Sequence, residues 1–418
     1  MNIEVREDRG GQSQLAGSSR DVLSTQPLHV AVSLLSHAPE MTGAATYARE
    51  LIRALGMRVD DVSLEVLCNE HAFKRLDGYV GGAVQLRRAR GFSVGGSLMS
   101  RAAAMLGAAA FPARLTRQLV SEPAVVHYPL TVGLPRVALP TVVTLHDMQH
   151  RDRRQDWSAV GRAWRWATYD RAARAATMVV TDSEYARKQI IDVLGIAPDR
   201  VVVVYLAVDH QRYSPLADEN DASLGERLAL PERFLYYPAG FWPHKNHLRL
   251  LEAFALLEDK RLELVLTGAS TGRLAQILDR ARQLGIGDRV HYLGFVPDAD
   301  LPALYRRAHA VVFPSLYEGF GLPPLEAMAC GCPVASSRRA SLAEVCGDAA
   351  AVLEPEDPRQ MADAINALVD DEQARGELRD RGLAWASRFT WDAVAEAHLA
   401  VYRRAAGLSG PSPSEDPA

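Results

Sequence analysis

The sequence predicts an α/β protein built as two doubly wound parallel sheets that face one another. Three observations carry that expectation. The chain has 418 residues, long for a single hydrophobic core. Short β-branched apolar runs recur along it with helical patterns between them, the signature of parallel strands with helical crossovers. A polar stretch, SPLADENDASLGERLALPER (214–233), divides those runs into two series.

In the first series the strand candidates are LHVAVSL (28–34), VSLEVLC (62–68), AVVHYP (124–129), TVVTLHD (141–147), TMVVTDS (177–183) and VVVVYLAVD (201–209). In the second they are RFLYYPAG (233–240), LELVLTG (262–268), VHYLGF (290–295), AVVFPS (310–315), PVASS (333–337) and AAVLEP (350–355). The expected division is a first domain over 27–208, a second over 209–390 and a final helix over 391–407. That helix, TWDAVAEAHLAVYRRA, spaces Trp391, Val394, Ala395, Val401 and Tyr402 along one face, so one side is buried. It either caps the second domain or crosses back onto the first. Residues 1–26 and 408–418 read as polar, disordered tails, the former without a signal peptide's apolar core.

Composition excludes several classes. A 48% apolar, 23% charged chain is ordinary for a soluble protein, and a formal charge of −4 argues against nucleic acid. No run of 18 apolar residues could span a bilayer. Cys68, Cys330, Cys332 and Cys346 complete no zinc pattern and read as small buried thiols, which fits a reducing cytoplasm.

The stretch LYEGFGLPPLEAMACGCP (316–333) concentrates the functional signal. It reads as strand, loop, helix and strand, which puts Glu318 in the crevice at a strand's carboxyl end, where open α/β sheets bind ligands. Pro323 and Pro324 suit a helix entry. Gly319 and Gly321 permit close backbone approach, with helix N–H groups beside an anion. Three further residues sit where this architecture places chemistry. His146 ends the strand TVVTL, Lys245 follows a strand in PAGFWPHKNHLRLLEAF ahead of a helix that Asn246 is expected to cap, and Gly43 lies between the first strand and its helix. Each alone is ordinary surface or core; placed together at facing strand ends they point to a site.

Those motifs resemble the retaining glycosyltransferases of family 4 (glycosyl transferases group 1), which have the GT-B fold of two Rossmann-like domains. The likeness covers about residues 28–407. It rests on the two glutamates separated by seven residues in EGFGLPPLE, followed by AMACGCPV, with weaker support from TGAATYARELIRAL, LHD, SEYARKQI, PHKN and the terminal helix. The resemblance implies a nucleoside-diphosphate sugar donor in the second domain, a hydroxyl acceptor against the first and a last helix that crosses back. It implies that Lys245 pairs with the donor diphosphate, that Glu326 holds the ribose hydroxyls and that Glu318, Gly319, Phe320, Gly321 and Leu322 line the donor. It also places His146 against the donor sugar, Gly43 over the phosphates, and Gly268 and Phe295 around the base. Glu318, His146 and Lys245 are the catalytic candidates, with same-face substitution and no cofactor or metal. The PHKN subtype resembles users of GDP-mannose.

The chemistry of these residue types agrees. Carboxylates accept paired hydroxyls strongly. A lysine and helix N–H groups stabilise a departing diphosphate without a metal. The one Asp-x-Asp, Asp298-Ala-Asp300, reads as helix capping rather than a metal site. One departure stands out: an arginine common five residues before the lysine is Gly240 here, leaving His244 or another arginine to supply the second cation. A GT-B epimerase or phosphorylase, or a silent partner subunit, therefore stays open. So does the segment 86–118, which lies in an acid-free stretch holding Arg87, Arg88, Arg90, Arg101, Arg114 and Arg117. It is either a solvated helix pair or a peripheral contact with an anionic membrane.

Overall fold

The computed structural model describes residues 26–38, 43–90, 92, 103–104, 107, 112–119 and 122–408. Most of both expected tails, Arg101 and most of the apolar part of 86–118 fall outside the described residues.

Seven strands form the first sheet: β1 (Leu28–Leu34), β2 (Val62–Cys68), β3 (Val84–Arg88), β4 (Val125–Tyr128), β5 (Thr141–Thr144), β6 (Met178–Thr181) and β7 (Val201–Val203). Six form the second: β8 (Phe234–Pro238), β9 (Glu263–Thr267), β10 (Val290–Tyr292), β11 (Ala310–Phe313), β12 (Val334–Ser337) and β13 (Ala351–Leu353). The orders are β3-β2-β1-β4-β5-β6-β7 and β10-β9-β8-β11-β12-β13, with adjacent strands parallel. Each sheet is wound outward in two directions from a central pair, β1/β4 in the first and β8/β11 in the second. The crevice outside such a pair is where a ligand fits. All four cysteines are buried.

Three expectations change. Strand β3 was not anticipated, because VQLRR carries two arginines and alternates half-buried with exposed positions, as an edge strand does. Its Arg87 and Arg88 meet Glu65 and Glu70, so these cations are paired rather than free. Strand β7 ends at Val203, and Val204, Leu206, Ala207 and Val208 continue as buried extended chain toward the second domain. The polar stretch 214–233 is no bare divider, since it contains a helix, Glu219–Arg227, whose Leu224 is fully buried.

The last helix, Trp391–Ala405, packs on the first domain's helix Gly43–Gly56 and on β5. Its buried face includes two polar side chains, His398 and Tyr402, each 0% exposed. Their partners can be derived proton by proton. The Val394 carbonyl, 2.8 Å from His398 Nδ1, can only accept, so Nδ1 carries the hydrogen. His398 Nε2 then accepts from the Tyr47 hydroxyl at 2.8 Å. Tyr47 accepts from Thr144 Oγ1 at 2.9 Å, Thr144 from His127 Nε2 at 2.9 Å, and His127 Nδ1 from Tyr402 at 2.8 Å. The chain has one sense throughout and leaves both histidines neutral. At its rim Arg58 reaches Asp392, and Arg403 reaches Asp61.

Tyr402→Phe is expected to cost about 1–3 kcal/mol, because His127 Nδ1 loses its donor inside the protein; urea unfolding at neutral pH measures it. Acid should also loosen this joint. Burial lowers the pKa of His398 from its ordinary value to about 4. Between pH 6.5 and 4 the unfolded chain therefore binds the proton and the folded chain does not, so stability falls as pH falls across that window. His398→Gln should flatten the slope of unfolding free energy against pH there.

Candidate active site

The loops leaving β8 and β11, the central pair of the second sheet, carry Lys245 and Glu318. Lys245 ends a single helical turn, Pro243–Lys245. Its carbonyl accepts from the Tyr237 hydroxyl at 2.6 Å. Asn246, expected to cap the next helix, does not: its backbone is left-handed, with φ of 63°, and its amide donates to the Pro314 and Pro355 carbonyls at 3.2 and 2.6 Å. It is a strut between loops, and it fixes the lysine in front of it.

The Glu318 loop is held by hydroxyls from both domains. Ser341 Oγ lies 3.0 Å from the Glu318 carbonyl and 2.8 Å from that of Phe320, while Ser183 of the first domain donates to the Gly319 carbonyl at 3.0 Å. A Cβ on Gly319 would sit 2.7 Å from the His146 carbonyl, so the domains touch here because position 319 has no side chain. Gly321 adopts φ of 109°. Lys245 Nζ lies 2.5 and 2.7 Å from the two Glu318 carboxylate oxygens, with the side chains 17% and 11% exposed. The cleft thus holds a nearly dry ion pair across its switch point.

Glu326 lies one to two turns into the helix Leu322–Ala329. Its Oε2 accepts from Tyr305 at 2.8 Å, and Tyr213 donates to the same carboxylate. Burial pushes its carboxyl above the usual range, further than the two phenols pull it down. Because positions 323 and 324 are prolines, this helix start offers fewer N–H groups than expected, those of Leu322 and Leu325 within its first turn.

His146 is 17% exposed at the side chain and is wholly engaged by protein. Nδ1 lies 2.7 Å from Asp182 Oδ2, and Nε2 lies 3.0 Å from the Pro129 carbonyl. Both partners are acceptors, which favours the doubly protonated ring. Burial works against that charge, but Asp182 and Pro129 outweigh it and raise the pKa. The Tyr47 ring of the crossing-helix network meets it edge-on, centroids 4.9 Å apart.

The remaining expected residues divide. Gly43 opens its helix facing open space, while residues 39–42 before it lie outside the described residues. Gly268, at φ of 117°, passes so close to Ala239 and Gly240 that a Cβ would lie 2.8 Å from their backbone. Phe295 is 74% exposed beside that loop. Phe320 requires correction: its ring is 4% exposed and packs between Tyr205 and Phe389, so only its backbone borders the cleft. His244 is also corrected as a substitute cation. Its Nδ1 accepts from Gln149 at 2.7 Å, and burial beside Lys245 lowers its pKa to about 3, leaving it neutral. Asp298 and Asp300 face Arg212 at 3.9 Å and Arg227 at 2.8 Å; Asp300 precedes a helix but does not cap it with its side chain.

Sequence reasoning missed Asp182, Tyr305, Tyr213 and Glu344. Asp182 had a legible signal, since it follows the last residue of β6 and precedes the N-cap Ser183. Glu344, from the second domain, accepts from the Glu184 and Tyr185 amides at 2.8 and 3.0 Å and from the Tyr205 hydroxyl at 2.9 Å. It caps a first-domain helix from across the cleft, a long-range pairing with no local sequence signal.

Similarity to known proteins agrees with this geometry. The family model "Glycosyl transferases group 1" matches residues 223–385, and "Glycosyltransferase Family 4" matches 41–212. The chain is 31% identical over 296 residues to MMP alpha-(1->4)-mannosyltransferase of Mycolicibacterium hassiacum, covering 66% of this chain and 69% of that one. It is 35% identical over 236 residues to O-antigen chain mannosyltransferase B of Escherichia coli, but spans only 61% of that relative. For the E. coli serotype-specific mannosyltransferase WbdA, at 34% identity, it covers 54% of this chain and only 28% of the relative. Among solved structures, sucrose-phosphate synthase from Thermosynechococcus elongatus superposes with TM-score 0.71 at 19% identity, covering 90% and 98% of the two chains. Anabaena Alr3699/HepE, solved with UDP and glucose, gives 0.68 at 19% identity, covering 88% and 97%. The chain belongs to glycosyltransferase family 4 and has the GT-B fold.

Lys245→Met should lower stability by about 3 kcal/mol, because it strands the Glu318 carboxylate in a dry loop. Adding Glu318→Gln should restore part of the loss, and a double-mutant cycle in urea gives the coupling directly.

Proposed function

We propose that the protein is a hexosyltransferase that moves a sugar from a nucleoside diphosphate to a hydroxyl acceptor with retention of anomeric configuration. The observation that carries this reading is the Lys245–Glu318 pair across the β8/β11 switch point, followed in the next helix by the half-buried Glu326. A departing nucleoside diphosphate concentrates negative charge, and a preorganised ammonium in a closed cleft stabilises that charge as it develops. Glu318 pairs with the Lys245 ammonium. Donor binding replaces or shares that contact, which frees the carboxylate to accept sugar hydroxyls. Glu326, already fixed by Tyr305, accepts the ribose hydroxyls. Transfer proceeds on one face of the sugar, the leaving phosphate oxygen taking the acceptor proton.

His146, with both nitrogens engaged, contributes a fixed positive charge and backbone rather than acting as a general base. Asp298 and Asp300 already face arginines, which supports a metal-independent reaction. Relatives named as mannosyltransferases favour mannose as the sugar, and the PHKN resemblance to users of GDP-mannose gives GDP as the nucleotide lean. A growing glycan or a phosphorylated polyol is the acceptor class suggested by names such as O-antigen chain mannosyltransferase B and D-inositol 3-phosphate glycosyltransferase.

A thermal-shift screen against UDP, GDP, ADP and dTDP without metal tests the site. A rise with GDP supports the reading. A rise with none at millimolar ligand favours a silent partner subunit. Glu326→Gln should abolish the shift, and unchanged nucleotide affinity would remove its ribose role. Lys245→Ala should lower turnover by about 2–4 kcal/mol of lost charge stabilisation. Chelator should leave transfer intact, and NMR of the product should show the donor's anomeric configuration retained.

A further inference from the structure

A helical run on the first domain carries a surface the transfer reaction does not explain. The run Ala159–Arg165 continues through a wider turn, Trp166–Asp170, into Arg171–Ala175. Its outward residues over the first two turns are Ala159, Val160, Ala163, Trp166 and Ala167, all exposed and none polar. Val160 is 80% exposed and Trp166 51%. An outward helix face is normally its polar side.

The charges carried on the run from Trp157 to Tyr169 have one sign, since the chain has no acidic residue there. Arg154 and Arg171 are exposed and meet no carboxylate among the described residues. The neighbouring acids are compensated inside the fold: Asp156 pairs with Arg153, and Asp170, fully buried, with Arg151 and His150. Asp152 is turned toward Tyr185 and Gln189. On the inner side Tyr169 packs into the same apolar cluster as Leu115, whose short helix exposes Arg114, so a second basic element adjoins the first.

We propose that this face docks the first domain on an anionic lipid bilayer. An amphipathic helix held in the interface plane needs an apolar stripe, an interfacial tryptophan and flanking cations, and these are present together. Cations near an anionic leaflet add attraction that salt screens. A second copy of the chain fits less well. A stable protein interface buries roughly 800 Å² per partner, and three of the five outward residues are alanines. Docking here would hold the acceptor-side domain at the surface of a membrane that carries its acceptor.

The test is sedimentation of the purified protein with vesicles of phosphatidylglycerol in phosphatidylcholine, against phosphatidylcholine alone. It requires no transfer activity, so it stands apart from the reading of the cleft. Wild-type protein should pellet with the anionic vesicles only and release at high salt. The double variant Val160→Glu/Trp166→Glu should keep its thermal midpoint, since both side chains are exposed, and lose roughly tenfold in vesicle affinity. Failure of the wild type to bind anionic vesicles, or equal binding by the variant, overturns the proposal. So does light scattering that shows a wild-type dimer converted by the variant to monomers, which would make the face a subunit contact.

Discussion

The buried hydrogen-bond chain from Tyr402 through His127, Thr144 and Tyr47 to His398 fixes how the two halves of this molecule meet. The crossing helix would pack on the first domain with any apolar face, but an apolar face can rotate or slide. Five polar groups with a single satisfiable proton order cannot, because a shift of one residue strands donors and acceptors where no water reaches them. Once the helix is pinned, the second domain is pinned with it, and the carboxyl ends of both sheets are brought face to face. The same chain reaches the cleft, since Tyr47 both donates to His398 and braces His146 with its ring edge.

Within the cleft, the protein's own groups engage each charged side chain. Lys245 is neutralised by Glu318, the His146 imidazolium by Asp182, and Glu326 is held by phenols rather than a cation. A site arranged this way resists stray anions, because displacing Glu318 leaves a nearly dry carboxylate unless the entering molecule brings hydroxyls for it. On the proposed reading, a nucleoside-diphosphate sugar would bring both phosphates for the lysine and hydroxyls for the glutamate, so selectivity would follow from exchange of partners and not from the ammonium alone.

Much of this was legible in the sequence, for physical reasons that also mark its limits. Buried parallel strands such as β8 and β11 are continuous apolar runs, and the residues after them are loop ends at the crevice, so Lys245 and Glu318 could be placed from spacing, while Glu326 was singled out by the family resemblance. Strand β3 was illegible because an edge strand tolerates arginine on both faces. Asn246 looked like a helix cap because its local context is that of one; its partners, Pro314 and Pro355, lie far along the chain. Phe320 sat in the right motif, but its ring direction is set by Tyr205 and Phe389, which no local pattern reveals. Glu344 is the extreme case, a cap whose helix belongs to the other domain.

The chain passes between the domains twice, once at Val204–Tyr213 and again at Ser387–Trp391, and the two passages are bonded to each other. The Val208 amide and His210 Nε2 both lie 3.2 Å from the Phe389 carbonyl. A single tether would let one domain swing and twist freely about the other. Two tethers side by side, bonded to each other, resist twisting. Together with the Ser183 bond to the Gly319 carbonyl and the Glu344 cap on the first domain's helix, they hold the strand ends of the two sheets in lateral register.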